Sequence, residues 1–206
     1  MSKVSLVWVT PHAESLIAYM ARVSNPENQT NDRTAPKLIN YLITHKHWSP
    51  FEMVNACLEI ETTRDIARQM LRHRSFSFQE FSQRYAVADG YELSEARAQD
   101  TKNRQNSLPI NDTNGQAWWH MLQEKVLKEA RECYETALNH GIAREVARKL
   151  LPEGLTTTKM YMNGSLRSWM HYLDIRCDAS TQKEHRDVAF KCKEVLTGIF
   201  PNIFKE

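Results

Sequence analysis

Glycine is scarce in this chain, with six in 206 residues, and none stands close enough to another to build a G-x-G-x-x-G run. The backbone-cradled dinucleotide site of a doubly wound fold is therefore excluded, and any bound nucleotide must be held by side chains. Cysteine is equally sparse. Cys57, Cys133, Cys177 and Cys192 lie far apart, with no C-x-x-C pair and no histidine at zinc-finger spacing, so we expect free thiols in a reducing compartment. No apolar run approaches the roughly 20 residues that span a bilayer, and the opening segment is apolar only for a few residues before Pro11. We expect an intracellular, cytoplasmic protein with no membrane partner. An excess of one charge is also missing: 27 basic against 25 acidic residues leave +2, which suggests no anionic partner, although a balanced total can conceal a local field. With 41% hydrophobic residues the chain is too apolar to be disordered, and at roughly 100–200 residues per domain it reads as one domain over residues 1–206.

The apolar pattern alternates between helix and strand periods. Val4 to Val9 reads as a buried first strand, followed by a helix from about His12 to Val23 with Leu16, Ala18, Tyr19 and Met20 on its apolar face. A second helix spans about Ala35 to Thr44, with Pro36 in its first turn. Val54, Ala56, Leu58 and Ile60 alternate with Asn55, Cys57, Glu59 and Glu61, which predicts a strand with one face on a core. A short helix follows, about Thr63 to Arg72. Residues 86–115 are polar and aperiodic, and a stretch of that length is usually a lid, a binding loop or an interface arm. Gln116 to His140 is helical, with Trp119, Leu122, Val126, Ala130, Tyr134 and Leu138 predicted to face inward and Gly141 as the stop. Further helices are expected over about 142–151, 166–175 and 181–200, and a strand near Lys159 to Met162. The fold class is α+β, a mainly antiparallel sheet packed with several helices.

Between Thr62 and Tyr85 stand Arg64, Arg68, Arg72, Arg74 and Arg84 against only Asp65 and Glu80, with no lysine, a local +3. Repeated choice of arginine points to forked recognition of phosphate or carboxylate, because guanidinium presents a rigid donor pair that ammonium lacks. Arg64, Arg68 and Arg72 fall at i, i+4 and i+8 on one helix face, with Gln69 one step round from it. A solvated arginine face over a core of Phe76, Phe78 and Phe81 would explain the stretch taken alone. The continuation to Ser82, Arg84 and Tyr85 adds hydroxyl and phenol donors suited to phosphate and ribose oxygens.

Arg72-His73-Arg74, then seven residues, Ser82, one residue and Arg84 matches the R-H-R-x7-S-x-R signature of the flavin-dependent thymidylate synthases. The chain is similar to that family over most of its length: Ala21-Arg22-Val23-Ser24-Asn25-Pro26, His45-x-His47-Trp48-Ser49-Pro50-Phe51-Glu52, Asn103 to Ser107, Ala147-Arg148 before Leu151-Pro152, and Asn163-Gly164-Ser165-Leu166-Arg167-Ser168-Trp169-x-His171 leading to Arg176. The resemblance implies synthesis of thymidylate (dTMP) from deoxyuridylate (dUMP), with methylenetetrahydrofolate as carbon donor and NAD(P)H, most simply NADPH, as reductant through bound FAD. By matching position, Arg72, His73, Arg74, Ser24, Ser49, Glu80, Ser165, Arg167 and His171 would contact the flavin. Gln69, Arg72, Glu80, Ser82, Gln83, Arg84, Tyr85, Arg148 and Arg176 would line the dUMP site, and His47 would lie near flavin and folate. Arg176 would be catalytic, its guanidinium stabilising negative charge on the uracil ring. The resemblance also implies a homotetramer with active sites shared between subunits.

Other readings attach to the same residues. Arg176 could pair with Asp174 or Asp178 at a helix end. His45 and His47 have no third ligand of matching spacing, and we expect no metal. Ser82 has no neighbouring base, and Cys177, beside Arg176, no activating context, so the chemistry would need no covalent enzyme nucleophile. The competing functional class is a nucleic-acid-binding module, with the arginines on phosphates and Phe76, Phe78, Phe81 and Tyr85 stacked on bases. It leaves Arg148, Arg167 and Arg176 unexplained, and we expect no nucleic-acid partner.

Overall fold

The computed structural model describes residues 2–204. Its frame is a four-stranded antiparallel sheet in the order β1-β2-β6-β3, formed by Lys3–Val9, Asn55–Thr63, Thr157–Ser165 and Ser77–Glu80. The alternation seen in the sequence sets the two faces. Leu58 and Ile60 of β2 stand opposite Met162 and Met160 of β6, and all four are fully buried. Burying each is worth about 1.5–3 kcal/mol. Their neighbours point outward, where Lys159 Nζ reaches Glu59 at 3.0 Å and Glu61 at 3.1 Å.

The helices α1 (Ala13–Ala21), α2 (Ala35–Thr44), α3 (Arg64–Met70), α6 (Leu166–Arg176) and α7 (Lys183–Ile199) contribute to the apolar core, through residues such as Ile17, Ile39, Ile66, Trp169 and Val188. Trp169 Nε1 donates to the Ala56 carbonyl at 3.0 Å, so the indole satisfies its polar atom while filling the core. Gly164 on β6 is required by close approach: a Cβ there would lie 2.5 Å from Phe76 Cδ1. The buried side of α1 is Ala13, Ile17 and Ala18, whereas Tyr19, expected to face the core, is 43% exposed.

The structure corrects two other expectations. β1 pairs only with β2 and is an edge strand; Leu6, Val7 and Trp8 are exposed rather than buried. α4 (Thr113–Asn139) stands largely off the main core, with only Gln123 and Tyr134 buried and Val126 exposed. Tyr134 packs in a separate small cluster with Ala88, Ala147 and Leu151. α4 is sharply bounded. The Asp112 side chain accepts from Asn114 N and Gly115 N, and Gly141, at φ +79°, closes a Schellman turn through Gly141 N to Leu138 O and Ile142 N to Ala137 O.

Residues 86–115 are not structureless. They carry the hairpin of β4 (Arg97–Gln99) and β5 (Ser107–Pro109) and end in the first turn of α4. The helix expected over 142–151 divides into α5 (Arg144–Ala147) and a 3-10 turn, Arg148–Leu150, ahead of Pro152. Among the described residues no helix is long and apolar enough to cross a membrane.

Candidate active site

Folding neutralises part of the arginine cluster. Arg64 Nη1 lies 3.3 Å from Glu80 Oε1, and Glu80 also accepts from Thr158 Oγ1 at 2.9 Å. Arg68 forms a forked pair with Glu153, its Nε donating at 2.6 Å, and Arg84 pairs with Glu145 at 3.3 Å. Both arginines on α3 are thus held by carboxylates, and Arg72, expected on the same helix face, lies in the turn past its end. Among the described residues Arg72, Arg74, Arg148 and Arg176 have no carboxylate at ion-pair distance. Arg72, Arg74 and Arg176 therefore leave uncompensated charge just past the C-terminal end of α3, while Arg148 stands apart beside α5.

At that end the chain brings together residues a hundred positions apart. Arg176, in the last turn of α6, donates through Nε to His73 Nε2 at 2.9 Å. It pairs with neither Asp174 nor Asp178; the latter accepts from Ser180. His73 must be neutral to accept this bond, and its environment agrees: burial, then the charges of Arg176 and Arg72, push it down to about 4. The imidazole edge also meets Tyr172, with centroids 5.0 Å apart. The Arg176 guanidinium is thus fixed by its inner nitrogen, and its two terminal amino groups make no hydrogen bond to the described residues.

Gln69, on the last turn of α3, is tied to α7. Its Nε2 donates to Gln182 Oε1 at 2.7 Å, and its Oε1 faces His185 Nδ1 at 3.2 Å. His185 is fully buried, and its Nε2 lies 3.1 Å from the Tyr172 hydroxyl. The sequence offered no signal for His185, a lone histidine on an amphipathic helix.

The remaining predicted residues form separate groups. Ser49 opens the 3-10 turn Ser49–Met53; from that turn Glu52 accepts from Ser165 Oγ at 2.5 Å and Arg167 Nη1 at 2.9 Å, while Trp48 meets His171 edge-on at 5.5 Å. Ser165 is buried and caps α6 by accepting from Ser168 N, so its hydroxyl is already committed. Ser82, Gln83, Arg84 and Tyr85 form a turn beside α5, where Arg148 Nε donates to the Glu145 carbonyl at 3.4 Å. Gln83 is 4% exposed, yet its Nε2 has no acceptor, and Tyr85 is 80% exposed. Ser24 and His47 are exposed on other turns. Among the described residues no hydrogen bond or ion pair joins the Ser82–Tyr85 turn or Arg148 to Gln69, Arg72, His73 or Arg176. A cavity of about 920 Å³ between α4 and the 86–115 arm, lined in part by Arg97, Trp119, Leu122 and Leu155, contains none of the predicted site residues.

The aromatic stretch does not form a stacking platform. Phe76 is buried against Trp169 at 4.8 Å and Phe78 is half-buried, leaving Phe81 and Tyr85 exposed.

The family model described as "Thymidylate synthase complementing protein" matches residues 5–202. A probable flavin-dependent thymidylate synthase of Paramecium bursaria Chlorella virus 1 is 53% identical over 194 residues, covering 94% of this chain and 89% of the relative. The flavin-dependent thymidylate synthase of Synechocystis is 52% identical over 190 residues, covering 92% and 87%. Among solved structures, a UMP/dUMP methylase PolB from Streptomyces cacaoi bound with 5-Br dUMP superposes with a TM-score of 0.88 at 25% identity, covering all of this chain and 94% of that one.

Proposed function

We propose, from the premise that this chain belongs to the thymidylate synthase complementing protein family, the flavin-dependent thymidylate synthases, a division of labour among its arginines that makes dTMP from dUMP. The protein is an FAD-dependent methyltransferase of that family, using a folate one-carbon donor. The observation that carries the division is the Arg176 to His73 hydrogen bond beside the uncompensated Arg72 and Arg74.

The donor set fits a flavin nucleotide. Two guanidiniums without carboxylates flank a neutral histidine, the arrangement a diphosphate needs, and Ser24, Ser49, Arg167 and His171 offer further donors. When bound, FAD would supply hydride chemistry. Arg176 would point its two free amino groups at the uracil ring and stabilise the negative charge that forms on its carbonyl and nitrogen atoms. His73 would hold that guanidinium in place while remaining uncharged, so that it does not compete for the anion. Ser82, Arg84, Tyr85 and Arg148 would bind phosphate and ribose oxygens, and the unpaired amide donor of Gln83 would find its acceptor there. Glu80 and Ser165, already committed within the chain, would contribute through their backbone or by holding Arg64 and α6. Neither Ser82 nor Cys177 is set up as a nucleophile. Ser82 Oγ accepts from Arg84 N, and burial pushes the Cys177 thiol up.

The same reading makes the protein a homotetramer in which the Ser82–Tyr85 turn of one subunit completes the Arg176 site of another. The lack of bonds between these two groups among the described residues of one chain supports it, as do the exposed Trp118, Met121 and Val126 on α4. We take NADPH as the reductant. Purified protein should be yellow, should convert dUMP to dTMP when given methylenetetrahydrofolate and NADPH, and should have a tetramer's mass by light scattering. A colourless protein that takes up no added FAD would refute the reading.

A further inference from the structure

A chain of hydrogen bonds with one fixed direction runs beneath the proposed nucleotide site. It starts at Glu184, whose carboxylate accepts from Arg97 Nη2 at 2.8 Å, reaching across from β4. Burial works against the charge on Glu184, but the bonds and charge of Arg97 outweigh it and hold the carboxyl below its usual range. An ionised carboxylate can only accept, so the Gln182 Nε2 that meets it at 3.0 Å donates. Gln182 therefore presents Oε1 to Gln69, Gln69 donates Nε2 to it at 2.7 Å, and Gln69 presents Oε1 to His185. That atom accepts, so His185 carries its proton on Nδ1, and its bare Nε2 accepts from the Tyr172 hydroxyl. Every member of the chain is left a single orientation.

We propose that His185 is a positioning residue for nucleotide recognition: Glu184 and Gln182 set which way the Gln69 amide faces, His185 pins its Oε1 in place by donating to it, and the site thereby favours uracil over cytosine. The inference rests on the reading that Gln69 lies in the dUMP site. With one N–H and one lone pair committed inside the protein, Gln69 keeps one N–H and one lone pair of defined position for a ligand. Uracil offers a carbonyl oxygen and an N–H where cytosine offers an amino group and a bare nitrogen, so an amide that cannot flip discriminates between them. His185 suits the task because it is fully buried and clamped on both nitrogens, and burial, then the charges of Arg176 and His73, push it down to about 3 and keep it neutral. A leucine would fill the same volume, so packing alone does not call for an imidazole.

The test measures binding of dUMP and dCMP to the FAD-loaded enzyme by calorimetry for the wild type, His185→Leu, His185→Asn, Gln69→Ala and the Gln69→Ala/His185→Leu double variant. One lost orienting bond should weaken dUMP about five- to tenfold in His185→Leu and leave dCMP nearly unchanged, narrowing the preference. His185→Asn, which can still offer an N–H near the Nδ1 position, should recover most of it. In the Gln69→Ala background His185→Leu should have no further effect. Equal weakening of both nucleotides by His185→Leu, no weakening at all, or an undiminished effect of His185→Leu without Gln69 would overturn the positioning role while leaving the site assignment standing. A Gln69→Ala variant with wild-type dUMP affinity would overturn the site assignment and this inference with it.

Discussion

Acidification should destabilise this protein through His185 by an amount the structure sets. The group ordinarily titrates at 6.5 and is pushed down to about 3 in the fold, by burial first and then by the charges of Arg176 and His73. A depressed folded value means that the unfolded chain takes up the proton first. The stability is therefore complete above pH 6.5 and is lost as the pH falls toward about 3, at about 1.4 kcal/mol per pH unit for one proton. At pH 5 the unfolded chain binds this proton almost fully and the folded chain hardly at all, a loss of about 2 kcal/mol relative to pH 7.5. His73, pushed down to about 4 by burial first and then by the charges of Arg176 and Arg72, adds a comparable loss over the same range. His185→Leu removes one of the two titrations and keeps the other. Denaturant midpoints of the FAD-loaded protein, taken from pH 7.5 to 5.0 at fixed protein concentration, should fall more steeply for the wild type than for His185→Leu, with the stability gap changing by about 2 kcal/mol. Parallel curves would refute the claim that a buried neutral imidazole sits under the site.

Other variants separate structural from ligand roles. Gly164→Ala places a methyl group 2.5 Å from the Phe76 ring and should cost about 1–3 kcal/mol of stability, seen as a lower melting temperature. Glu80→Gln leaves the nearly buried Arg64 guanidinium without its charge partner and should cost about 3 kcal/mol in melting experiments, with dUMP affinity changing less than stability. Arg74→Glu replaces an uncompensated cation with an anion and should lower FAD content at a fixed free FAD concentration at least tenfold, read from the flavin absorbance of the desalted protein, with the secondary structure intact.

Much of the architecture was legible because it follows from local pattern. The alternation over Val54 to Ile60 maps onto fully buried positions, and α2 begins and ends where Pro36 and the apolar spacing place it. β1 departs from its expected burial because a continuous apolar run looks the same on an edge as in the middle of a sheet, and only the arrangement of the other strands decides. α4 departs from expectation in a related way: its stripe is apolar, but in a single chain little packs against it. The site divides similarly. The cluster at Arg72-His73-Arg74 and the isolated Arg176 could be singled out, yet nothing local shows that Arg68 is tied to Glu153 or Arg64 to Glu80, so the sequence overstated the charge left for ligands. The chain from Glu184 to Tyr172 was invisible, since its members are ordinary residues whose relation exists only once α3, α6 and α7 are packed.

The most direct measurement follows dTMP formation from dUMP, methylenetetrahydrofolate, NADPH and FAD by the wild type and by Arg176→Ala, with FAD content and circular dichroism recorded for both. Wild-type turnover with at least a hundredfold loss in a folded, flavin-loaded variant is the predicted result. Undiminished turnover by that variant would contradict the assignment of Arg176 as the group that stabilises charge on the uracil ring.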